Sequence, residues 1–416
     1  MRYIFVAASL LLLSPAPAIA QAWFAEVTDT HLPPREGVTH ATMDAALVDI
    51  DGDGDLDIIA PQEWRANRVL INDGAGRFTL AADFLPPPPA SELTRPPGVQ
   101  AALAGKDSED VSVADFNGDG LLDVVMVVED DTRVGRANVH QYYRGVRGGG
   151  FERIYGQLPD TVANAVAHGD VDRDGDLDLI IAGDAQDRLL VNDGRGVFRD
   201  ESETRLPREA AVAQDAEFFD ADGDGDLDLV LGLEGGHALW LNDGRGRFTD
   251  HSRARLPVPG NVEARKVTPA DVDGDGDLDL YVAHVSWQGR APQDRLYIND
   301  GRGRFSDGTP DRLPAEDRLS LDAAFADLDA DGDLDLAQGN GNAVRIFEND
   351  GRGRFTDITE RALGISEDVP GTSITIEVGD LNGDGRPDIF VGQLANQNNP
   401  NTWDRLFLNV LGPAAR

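Results

Sequence analysis

The sequence predicts an all-β protein, a seven-bladed β-propeller of four-stranded antiparallel blades with calcium-binding hairpin loops. Three observations predict it. An acidic nine-residue motif, first written DIDGDGDLD from Asp49, occurs seven times, at starts 50 to 66 residues apart. Each copy is followed by a short apolar run, and five of the seven then by an Asn-Asp-Gly step between apolar residues, the strongest short hairpin signal. The last repeat is one strand short, and the N-terminus carries a segment that matches the missing piece. Repetition at this period, with strand-like content, points to a ring of blades.

In chain order, residues 1–20 read as a secretory leader: Arg2 is the positive start, IFVAASLLLL the apolar core and Ala18-Ile19-Ala20 the small-residue cleavage site. The apolar run is too short to span a bilayer, so no direct membrane insertion is expected. A secreted or periplasmic location follows, with residues 21–416 as a single monomeric propeller. The chain has no Cys, so disulfides cannot staple it. Its formal net charge is -38, while hydrophobic residues make up an ordinary 41%. Such acidity argues against nucleic acid or anionic membranes as partners, and the apolar content argues against disorder.

The acidic motif returns as DFNGDGLLD, DVDRDGDLD, DADGDGDLD, DVDGDGDLD, DLDADGDLD and DLNGDGRPD. Positions 1, 5 and 9 are always Asp, position 3 is Asp or Asn, and position 6 is always Gly. Position 7 varies, so its side chain is not the required group. A hard cation with six to eight oxygen ligands accounts for the pattern. Carboxylates or amides from positions 1, 3, 5 and 9 and a backbone carbonyl from position 7 form the shell, and Gly at position 6 allows the turn. The expected Ca2+ ligands, about seven sites, are Asp49, Asp51, Asp53, Asp55 and Asp57, then Asp115, Asn117, Asp119, Leu121 and Asp123. The next three sets are Asp170, Asp172, Asp174, Asp176 and Asp178, Asp220, Asp222, Asp224, Asp226 and Asp228, and Asp271, Asp273, Asp275, Asp277 and Asp279. The last two are Asp327, Asp329, Asp331, Asp333 and Asp335, and Asp380, Asn382, Asp384, Arg386 and Asp388. Alternation after position 9, as in Leu227, Leu229 and Leu231, is a strand signal, unlike the helix that follows an EF-hand loop.

With one strand before the acidic loop, as at Asp215 to Phe219, one after it and two around the Asn-Asp-Gly step, each repeat holds four strands. The last repeat stops at DRLFLNV, Asp404 to Val410, and WFAEVTDTHLP, Trp23 to Pro33, resembles the RFTDIT piece it lacks. The N-terminal strand is therefore expected to close blade seven and protect the sheet edges.

The motif D-x-D-x-D-G-x-x-D in strand-rich repeats resembles the FG-GAP/VCBS repeat family, which includes the propeller of integrin α subunits and a fungal lectin propeller. The resemblance covers essentially the whole mature chain. It implies calcium-loaded hairpins and a ligand face, in a family that spans cell adhesion, carbohydrate binding and some polysaccharide lyases. A scaffold does not itself name a function.

Strand counting puts the acidic loops and the Asn-Asp-Gly hairpins on one face and the variable loops on the other, where specificity is expected. Trp64, Trp287 and Trp403, with Arg290, fall in the strand 2 to 3 loops of that face and suit stacking against a sugar; packing beneath their own loops is the alternative. Trp240 aligns with Leu190, Tyr297 and Phe407 and is expected in the core. Asp44, Asp110, Asp215 and Asp322, with Lys266, either ring the channel mouth or bond neighbouring backbones. The expected function is a binding module for a glycan or an extracellular protein. The alternative is a polysaccharide lyase, for which His284 with Arg290, or His140 with Tyr142 and Arg144, would supply base and charge neutraliser.

Overall fold

The computed structural model describes residues 22–34, 40–89, 105–129, 138–184, 186–208, 211–258, 260, 262–286, 292–315, 318–341, 344–364, 372–394 and 402–412. Seven antiparallel sheets make seven blades. Blade one holds Ala46–Val48, Asp57–Ala60, Arg68–Asn72 and Phe78–Leu80, from the axis outward. Blade four, Ala213–Phe219, Asp228–Leu233, Gly236–Asn242 and Phe248–Asp250, shows the same order, as do blades three, five and six. In blade two, the innermost strand Lys106–Ala114 also pairs with Glu63–Arg65, which leaves the strand 2 to 3 connection of blade one. Blade seven combines Thr372–Gly379, Asp388–Leu394 and Arg405–Asn409 with the N-terminal Phe24–Glu26, in the register Phe24 to Asn409 and Glu26 to Phe407. The leader segment 1–20, Trp287 and Arg290 lie outside the described residues.

The second strand of a blade is buried along its whole length, as in Asp178–Gly183 and Asp228–Leu233. A blade stands between two neighbours, so both faces of its middle strands lose water, and the apolar run is continuous rather than alternating. Seven apolar clusters fill the seven gaps between blades. Ile180 and Leu189 meet Leu229, Leu231 and Trp240 between blades three and four, and Ile58 and Leu70 meet Phe390 and Leu406 between one and seven. Trp240 is fully buried.

Single helical turns follow five outer strands: Thr28–His31, Ser202–Arg205, Ser252–Arg255, Thr309–Arg312 and Thr359–Leu363. The sequence reading had not placed them, although an acidic residue two before Ser or Thr recurs there. The Asp250 carboxylate accepts the Ser252 amide at 2.9 Å, and Asp307 and Asp357 hold Thr309 and Thr359 in the same way. Each hydroxyl also accepts a third-strand amide, such as Leu239 to Ser252 at 2.9 Å and Leu406 to Thr28 at 3.0 Å. This local bond ends the outer strand and turns the chain toward the next blade.

Candidate metal loops and variable face

All seven acidic loops share one wiring. The position-1 carboxylate accepts the position-6 amide, as Asp49 accepts Gly54 at 3.0 Å and Asp220 accepts Gly225 at 2.9 Å. The position-5 carboxylate accepts the position-7 amide, as Asp174 accepts Asp176 at 3.0 Å. Position 9 is buried, and its two oxygens accept the position-2 amide and a third-strand amide: Ala221 at 3.1 Å and Asn242 at 2.8 Å for Asp228. Position 6 stands at positive φ throughout, and so does position 4, where Arg173 at 61° and Ala330 at 64° replace the usual glycine. Only glycine takes that region without steric cost.

These bonds gather carboxylates tightly. Ligand atoms of Asp170, Asp172 and Asp178 all lie within 4.8 Å of one another, as do those of Asp220, Asp222 and Asp228, those of Asp271, Asp273 and Asp279, and those of Asp49, Asp51 and Asp53. Burial, helped by like charges, pushes Asp178, Asp228, Asp279, Asp335 and Asp388 up to about 7 and Asp57 and Asp123 up to about 6. One oxygen each of Asp172, Asp222 and Asp273 is buried without a hydrogen-bond donor. An all-oxygen, anionic site with unsatisfied buried lone pairs fits a hard divalent cation. The position-7 side chains point elsewhere: carboxylate oxygens of Asp55, Asp176, Asp226, Asp277 and Asp333 sit under the first hairpin glycine of their own blade, where a Cβ would come within 2.6 Å. The acidic loops and the Asn-Asp-Gly hairpins therefore do share one face.

The asparagine of that hairpin has a role the sequence reading missed. Asn242 Nδ2 donates to Leu227 O at 3.0 Å in its own blade and to Val171 O at 2.7 Å in blade three. Asn72, Asn192, Asn299, Asn349 and Asn409 repeat the bridge. A residue taken as a turn former is an inter-blade staple, and its signal was the constancy of Asn next to a variable residue.

On the opposite face, Trp64 is half-buried at φ 58°, a region bulky side chains rarely adopt, between the pairs that join Glu63 to Asp107 and Arg65 to Lys106. Trp403 lines a pocket of about 320 Å3 with Leu32, Pro33, Pro34, Asp29 and His40. Beneath it, buried Asp404 accepts Thr42 Oγ1 at 2.8 Å and Gln393 N at 3.1 Å, pairs with the Arg68 guanidinium, and lies 2.8 Å from His40 Nδ1. Burial alone would raise this carboxyl, but His40, Arg68 and Thr42 together hold it at about 2. Blades three and five carry Gln186 and Gln293 where blade seven has Trp403. Those amides donate to Pro207 O at 3.3 Å and Pro314 O at 3.1 Å, and the blade-five pocket shrinks to about 180 Å3.

The acidic ring does both things expected of it. Asp44, Asp110, Asp215 and Asp322 line a cavity of about 410 Å3 together with Lys266. Each also accepts an inner-strand amide of the next blade: Val111, Val166, Val267 and Ile376, at 2.7 to 3.2 Å. Burial alone would lower the Lys266 ammonium, but Asp215 at 3.3 Å and Glu217 at 3.5 Å keep it charged. The His140 constellation does not assemble, and Arg290, the partner expected for His284, lies outside the described residues. Buried His140 accepts Val128 N and meets Thr161, Tyr142 donates to Asp123, and Arg144 pairs with Glu152. His284 is buried beside Gln293 O, and burial lowers it to about 4.

Seven four-stranded blades with acidic hairpin loops define a repeat-built β-propeller. The FG-GAP-like repeat matches residues 49–126, 170–231, 222–282, 285–338 and 327–391, and the chain belongs to that family. No curated protein matches it. Among solved structures it is similar to an Agrocybe aegerita lectin that recognises non-reducing terminal N-acetylglucosamine, at 18% identity over 79% of this chain and 82% of that one, TM-score 0.48. It is also similar in fold to BBS1N from its complex with ARL6DN, at 9% identity over 94% and 98%, TM-score 0.55.

Proposed function

We propose that the chain is an exported, calcium-stabilised propeller that binds a glycan through its variable loop face, with the Trp403 pocket as the point of contact. The leader-like residues 1–20 support export, and the seven acidic loops, three of which hold a buried carboxylate oxygen without a donor, support Ca2+ as the ion they hold. The observation that carries the ligand reading is the exchange of a sealing glutamine for Trp403. It replaces a closed polar contact by an open pocket with one aromatic wall, two prolines, the Asp29 carboxylate and an imidazole edge. A sugar ring offers C–H groups to such a wall and hydroxyls to such polar neighbours.

The test is a glycan array in millimolar calcium with the mature protein and Trp403→Ala. Losing an aromatic contact of about 1.4 kcal/mol costs about tenfold in affinity, with little change in melting temperature because the side chain is partly exposed. Unaltered glycan binding with a large drop in melting temperature makes Trp403 a packing residue. Release of unsaturated uronide from an acidic polysaccharide would favour the lyase reading instead.

A further inference from the structure

Five loops, those of blades one, three, four, five and six, carry Asp at every odd position. Three of these five are clamped by an arginine from the helical turn of their own blade. Arg205 donates to Asp172 at 2.9 Å and to the Arg245 carbonyl of the next hairpin at 2.8 Å. Arg312 donates to Asp273 at 3.0 Å and to the Arg352 carbonyl. Arg255 lies 3.5 Å from Asp222 and donates to the Arg302 carbonyl. Arg173 adds a direct link, pairing at 2.6 Å with Asp226 in the loop of blade four.

Among the described residues, blades one and six show no such clamp. In blade one the stretch directly after the outer strand, Ala81 to Pro86, has no basic residue, and blade six has Ala362 at the clamp position. Its neighbour Arg361 turns away to Glu348 at 2.8 Å and stacks 5.2 Å over Trp23. Among the described residues, no basic side chain pairs with Asp51 or Asp329. These two loops flank blade seven, the blade made from both ends of the chain.

We propose that calcium is the latch of ring closure: without it the propeller opens at blades six, seven and one, while blades three to five keep their fold. A guanidinium between two blades offsets the repulsion in an empty loop and ties that loop to its neighbour. An unclamped five-aspartate loop has only the metal for both tasks. The seam is also where opening disrupts least, because no covalent connection joins Phe24–Glu26 to Arg405–Asn409.

This inference rests on the calcium reading, and hydrogen exchange read by mass spectrometry separates the two. In chelator, exchange should rise by about tenfold or more over residues 22–34, 46–60, 327–340 and 388–412, and by less than about twofold over 170–182, 220–233 and 271–285. An equal rise in every blade overturns the latch but not the calcium reading. No difference between chelator and millimolar calcium overturns both. Arg255→Met keeps most of the side-chain volume, and its calcium-loaded exchange pattern reports whether it folds. In chelator the blade-four loop of this variant should join the open arc, and unchanged protection there overturns the role given to the clamp.

Discussion

Replacing Asn242 by Ala tests the inter-blade staple. The amide makes three bonds: Nδ2 to Val171 O at 2.7 Å and Leu227 O at 3.0 Å, and Oδ1 from the amide of Gly244 at 3.2 Å. The equivalent Asn192 accepts the amides of both Gly194 and Gly196, each at 3.2 Å. At about 1 kcal/mol per bond, and more where a buried partner is left without water, the loss is about 4 kcal/mol. Unfolding entropy near 2.1 cal/mol/K per residue gives roughly 0.8 kcal/mol/K for a ring of about 390 residues, so the melting temperature should fall by about 5 °C. Asp243 is the control, since it is exposed and water can replace its bonds to the amides of Arg245 and Arg247. Asp243→Ala should shift the transition by less than about 1 °C. Calorimetry in millimolar calcium measures both. An Asn242→Ala transition within about 1 °C of wild type, or no lower than the control, refutes the staple.

Asp174→Ala should remove one bound calcium ion and Asp176→Ala none, because the Asp176 side chain faces Gly194; ion counting by mass spectrometry under native conditions distinguishes them. The Asp404 carboxyl has a folded pKa below its unfolded value, so its stabilisation is present above about pH 4 and is lost as pH falls through about 2. Asp404→Asn should therefore melt below wild type at neutral pH, with the gap closing toward pH 2, and a gap independent of pH contradicts the ion-pair account. A chain that starts after Pro33 lacks Phe24–Glu26 and the preceding Trp23, of which Trp23 and Phe24 are buried, so it should aggregate through the exposed edge of Arg405–Asn409. A heat-stable monomer in light scattering would show that the strand is dispensable.

The loops and turns were legible in the sequence because their chemistry is local. All side chains of one acidic loop fall within nine consecutive residues, and the glycines that permit the turn lie among them, so spacing alone reports the shape. Repetition then exposes what each position must do, and the same repetition predicts blade number. The continuous burial of strands such as Asp228–Leu233 was not legible from one strand, since it depends on a neighbour packing on each face. The staples were hidden for the same reason: Asn242 and Val171 stand 71 residues apart, and only the stacking of blades makes them partners. Distance in sequence hid the Trp403 pocket most completely. Its floor joins Asp404 to Thr42, His40 and Arg68, residues more than 330 positions away, which closure of the ring brings together. The sequence by itself determined where the acidic loops and turns belong, since those are set by chain geometry over a few residues. The tertiary structure decided which arginines clamp the loops and which tryptophan gains an open pocket, because both depend on where one blade ends against the next.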